Sequence, residues 1–69
     1  MAVFAVSKDH KGEWRWSFAA TNHETIAVAS EGYHNRSDCL HALKLVKEQG
    51  PKAPVYDITT DPPQKIPEG

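Results

Sequence analysis

The chain has 69 residues, eight of them basic and nine acidic, with a net charge of -1 and a single cysteine. A chain this short forms one domain at most and buries only about 60% of the surface its unfolded form exposes. Cys39 alone excludes an internal disulfide, the charge balance argues against a dominant phosphate-binding role, and no apolar run approaches the roughly 18 residues of a membrane span.

Val3 to Lys8 reads as a first strand, with Phe4 and Val6 on one face and Ala5 and Ser7 on the other. Asp9-His10-Lys11-Gly12 is a turn in which Gly12 can take a positive φ. Glu13 to Thr21 is the second strand. Its alternation puts Trp14, Trp16 and Phe18 on one face, which marks the core side. Asn22-His23 is a short connection, with Asn tolerant of the left-handed region. Thr25 to Ser30 is the third strand, with Ile26 and Val28 expected to face Trp16 and Phe18. Glu31-Gly32-Tyr33-His34 then breaks the alternation.

A helix starts near Asn35 to Ser37, either of which can cap it, and Asp38 suits its positive end. Cys39, Ala42, Leu43 and Val46 form its apolar stripe, with Leu40 at the flank. Gly50-Pro51 stops it. Val55 to Thr59 is a short fourth strand, with Pro54 confined to its start or to an edge. Thr60 to Gly69 carries three prolines and one large aliphatic residue and reads as a disordered tail. The fold class is therefore α+β, a β-β-β-α-β unit with one helix on one face of a small antiparallel sheet, occupying residues 1–59 ahead of the tail at 60–69. The expected core is Phe4, Val6, Trp14, Trp16, Phe18, Ile26, Val28, Tyr33, Leu40, Leu43, Val46 and Ile58. With no disulfide, oligomerisation is the expected support for so small a core.

The opposite sheet face carries Ala5, Ser7, Arg15, Ser17, Ala19, Thr21, Thr25, Ala27 and Ala29. Such small, weakly polar residues can receive another surface. Arg15 among them can grip a carboxylate or phosphate, or else form a cross-strand salt bridge.

The residues Phe4, Gly12, Trp14-Arg15-Trp16, Phe18, Ala20, Asn22, Ile26, Ser30, Glu31-Gly32-Tyr33, Leu43 and Val46-Lys47, at this spacing, resemble the YegP-like family of small bacterial and archaeal domains of unknown function. The resemblance runs from Phe4 to about Lys47. His23 stands where glycine is usual, which leaves that turn type open. The resemblance implies a β-β-β-α-β unit. Two such units, from a tandem repeat or from two chains, assemble into one continuous sheet and exchange their C-terminal strands. A single copy then implies a homodimer in which Val55 to Thr59 pairs with the partner, and the Gly50-Pro51 hinge suits an outward strand. The resemblance brings no substrate, cofactor or catalytic residue.

Chemistry-bearing motifs are few. Cys39 and His41 lie two apart on a helix and point about 200° away from each other, and no paired Cys-x-x-Cys or His-x-x-x-His motif occurs, so no metal is expected. Cys39 on the apolar stripe suits a buried small hydrophobe better than a nucleophile. The carboxylates show no acid–base spacing, and no Gly-rich phosphate loop is present. Arg15 faces away from both tryptophans, which removes a stacking platform for nucleic acid. The sequence thus leads to a non-enzymatic interaction module without cofactors, acting as a homodimer and contacting a partner through the open face around Arg15, Ser17 and Asn22. The alternative is a small-ligand or anion-binding protein using that face or the dimer cleft. The lone thiol and the absence of a basic N-terminal segment point to the cytoplasm.

Overall fold

A computed structural model describes residues 1–67. The chain is α+β: strands β1 (Val3–Lys8), β2 (Trp14–Ala19) and β3 (Thr25–Val28), helix α1 (Arg36–Gln49), and strands β4 (Val55–Asp57) and β5 (Gln64–Ile66). The first three strands form an antiparallel meander in the order β1-β2-β3. β1 meets β2 with Phe4 opposite Phe18, Val6 opposite Trp16 and Lys8 opposite Trp14. Opposed residues share a face, so Phe4, Val6, Trp14, Trp16 and Phe18 form one aromatic layer. The Phe4 ring lies 4.6 Å from that of Phe18 and edge-on to Trp16 at 6.3 Å. Helix α1 covers this layer over β2, and Lys47 carries its ammonium to 5.8 Å from the Phe4 ring.

The third strand corrects the expected register. Ala19 pairs with Thr25 but Phe18 pairs with Ala27, so Ile26 is a bulged extra residue. One extra residue flips every later side chain to the other face. Val28 therefore lies opposite Ser17 on the open side, and Ile26 and Val28 are 63% and 62% exposed rather than core. Ala29, expected on the open face, is 3% exposed on the helix side, and its N–H donates to the Trp16 carbonyl. After a short loop the chain returns to β2, where Tyr33 and Trp14 exchange backbone hydrogen bonds of 2.7 and 2.9 Å. Gly32 is required there, because a Cβ would fall 2.7 Å from the Glu13 Cβ.

Asn35 takes the N-cap position of α1, but its amide donates to the Asp38 carboxylate instead of capping a backbone N–H. Gly50 stays in right-handed helical geometry and leads into a 3-10 turn, Gly50–Lys52, so Pro51 ends the α-helix without a left-handed glycine. Among the described residues only Ala29, Cys39 and Leu43 are buried apolar side chains. The aromatic layer and Tyr33 are half-buried, while Leu40 and Val46 of the expected core are exposed.

The C-terminal segment departs most from expectation. β4 does not join the meander; it pairs with β5, Val55 opposite Ile66 and Asp57 opposite Gln64. Residues 60–67, expected to be disordered, close a two-stranded ribbon in which Ile66 sits against Val55; residues 68–69 of that stretch lie outside the described residues. Ile58, expected in the core, falls beyond β4 and is 79% exposed. Among the described residues, the ribbon approaches neither the meander nor α1. The radius of gyration, 14.7 Å, accordingly exceeds the about 11 Å of a compact chain of this length.

Candidate functional site

Arg15 projects from β2 on the open face, opposite Ser7. Its Nε donates to Asp9 Oδ2 at 2.9 Å and its Nη1 to the Ala29 carbonyl at 3.3 Å. Asp9 lies in the turn between β1 and β2, where its other carboxylate oxygen accepts from the backbone N–H groups of Lys11 (2.9 Å) and Glu13 (3.0 Å). The Arg15 hydrogen bond, then the backbone amides, hold the Asp9 carboxyl down at about 2. Gly12, with φ 78°, lets the turn close, and its N–H donates to the Asp9 carbonyl. Arg15 thus ties three segments together: the first turn, β2 and the end of β3. Arg15 forms an ion pair, but with Asp9 of the turn rather than across strands as expected. Its partner Asp9 was missed, although Asp9 and Arg15 symmetrically flank the Gly12 turn in sequence.

Ser17 shares the Arg15 face, between Ala5 and Val28. Asn22 does not join them. It lies beyond the far end of β2, where its Oδ1 accepts from the Glu24 N–H and its Nδ2 donates to the Glu24 carboxylate, a local turn-forming pattern. The adjacent His23 holds φ 68°. Val3, Ala5, Ser17, Ala19 and Val28 give the open face a more apolar surface than the expected run of Ala, Ser and Thr.

Two further surfaces were not legible in the sequence. Leu40, Leu43, Lys44, Lys47 and Glu48 line an open groove of about 500 Å³ along one side of α1. Lys47 reaches Phe4 of β1, which places the groove on the β1 side of the helix. The ribbon, in turn, exposes Val55, Tyr56, Ile58 and Ile66. Asp57 on β4 has its carboxyl lowered by the Thr59 hydroxyl and backbone N–H.

Cys39 is wholly buried. Among the described residues no group of three His, Cys, Asp or Glu side chains could hold a metal ion, and no helix is long and apolar enough to cross a membrane.

Residues 9–57 match the family model described as a domain of unknown function, DUF1508. The chain belongs to this family. It is 44% identical over 55 residues to the UPF0339 protein NMB1088 of Neisseria meningitidis, covering 80% of this chain and 96% of the relative. The UPF0339 protein Atu5359 of Agrobacterium fabrum is 42% identical over 60 residues, 87% of this chain and 95% of its own. A UPF0339 protein from the ptx operon 5' region of Stutzerimonas stutzeri is 37% identical over 55 residues, which are 80% of this chain and 49% of that protein. No solved structure matches the chain. The YegP-like resemblance stands as a family assignment, and the family's function is unknown.

Proposed function

We propose that this chain is a non-enzymatic interaction module that works as a homodimer, each copy lending its C-terminal arm to the other and offering its open sheet face to a partner. The observation that carries this reading is the arm. β4 and β5 stand away from their own sheet with Val55, Tyr56 and Ile58 exposed, while the body they leave buries only three apolar side chains among the described residues. The receiving edge is β1, which is six residues long, free of bulges and paired on one side only. An unpaired strand of that kind is a template for another strand. The α1 groove, on the Phe4 side of the helix, offers Leu40 and Leu43 for apolar side chains of an arm and the cations Lys44 and Lys47 for an acidic one such as Asp57. The Stutzerimonas relative, about twice the aligned length, has room for two units in one chain.

Sedimentation should give a dimer at micromolar concentration, and truncation before Pro54 should abolish folding. A stable monomer, or a well-folded truncate, refutes the exchange. For the partner surface, Arg15→Ala is a poor probe because Arg15 also braces the first turn. Ser17→Lys charges the open face without touching that brace. It should abolish capture of whatever protein the wild type retains from a lysate, and unchanged capture counts against this face. The second reading, anion or small-ligand binding through Arg15, has less support, since Asp9 already neutralises the guanidinium.

A further inference from the structure

An exchanged arm has two hydrogen-bonding sides. If one side of β4 pairs with the β1 edge of a second copy, the other is left open to a third, and exchange becomes open-ended. The arm of this chain carries a strand on that side. β5 folds back antiparallel on β4 over the pairs Val55 with Ile66, Tyr56 with Lys65 and Asp57 with Gln64.

We propose that β5 is an edge guard, which seals the outer side of β4 so that assembly stops at two copies. The inference rests on the dimer reading and adds what limits it. The chemistry of β5 is that of a strand built to pair once. It is three residues long, Gln64-Lys65-Ile66, with Pro62 and Pro63 before it and Pro67 after it. Proline has no N–H to donate to a further strand, and a lysine on a short outer edge must be desolvated before another chain can pair there. β4 is equally short and follows Pro54, but it carries no lysine and no proline directly after it, and its Val55-Tyr56 is apolar and exposed. The connection between the two strands is built from local hydrogen bonds. Asp57 accepts from the Thr59 backbone, and the Thr60 hydroxyl donates to the Pro62 carbonyl at 3.0 Å. The ribbon can therefore travel with the arm as a preformed unit.

The test compares the full-length wild type with the double variant Gln64→Pro, Lys65→Pro. Successive residues of a strand direct their N–H groups to opposite sides, so two adjacent prolines remove the one that faces β4. Among the described residues β5 contacts only β4, so the body should keep its far-UV circular dichroism. By light scattering on a sizing column, the wild type should elute as a dimer. The variant should shift to species heavier than a dimer, increasingly so with concentration. Lys65→Glu keeps a charge on the edge without adding a proline, and should match the wild type. The inference is overturned if the proline variant has the same mass as the wild type at every concentration, or if Lys65→Glu grows as readily as the proline variant. A monomeric wild type refutes the dimer reading by itself. The guard is then judged on the same variant, where a gain in mass sustains it and an unchanged mass ends it.

Discussion

At the scale of single residues, Asp9 does the most with the least surface. One carboxylate closes the first turn through two backbone N–H groups and holds Arg15 across to the end of β3. Its carboxyl is lowered from 3.8 to about 2, so between those values the folded chain binds fewer protons here than the unfolded chain does. Stability from this group is full above 3.8 and is lost as the pH falls through about 2. Asp9→Asn should therefore melt at a lower temperature than the wild type at neutral pH, and the gap should narrow on acidification across that window. Parallel melting curves for the two proteins from neutral pH to about 2 would exclude the effect. His23 is a second case. An L-residue in the left-handed region costs roughly 1–2 kcal/mol, and glycine there gives back roughly 0.5–1 kcal/mol through its freer unfolded state. With φ at 68°, His23→Gly should raise stability by about 0.5–1 kcal/mol in urea titration, and a loss would show that the His23 side chain makes contacts of its own.

At the scale of elements, the strands that alternate were legible and the ones that bend were not. β1 and β2 follow the period of two without interruption, so their pairing and the aromatic layer follow from spacing alone. β3 has the same kind of sequence, but the bulge at Ile26 reverses the faces beyond it. No spacing rule locates it, because Thr25-Ile26-Ala27-Val28 alternates equally well in either register. The bulge instead carries Ala29 to the position opposite Trp16, where it is buried, and leaves Val28 exposed opposite Ser17. The same limit applies to β5. Three prolines and one aliphatic residue carry too little pattern to announce a strand, and Ile66 finds its place only because Val55 stands opposite.

At the scale of the whole molecule, the β4–β5 ribbon stands apart from the meander and α1 among the described residues. The body is one aromatic layer under one helix, and the apolar side chains of the ribbon lie outside it. If the arms are exchanged, folding and association are a single equilibrium, and the melting temperature should rise with protein concentration. A melting temperature independent of concentration over two decades would mean that each chain is stable alone. The sequence by itself determined the α+β class, the helix and its limits, the aromatic face of β2 and the family, because each is written in local periodicity, turn residues or motif spacing. Only the tertiary structure decided the face of Val28, the engagement of Arg15 with Asp9 and the separation of the β4–β5 ribbon from the sheet. These depend on which distant segments can approach each other at close packing, and an unpaired sequence does not carry that information.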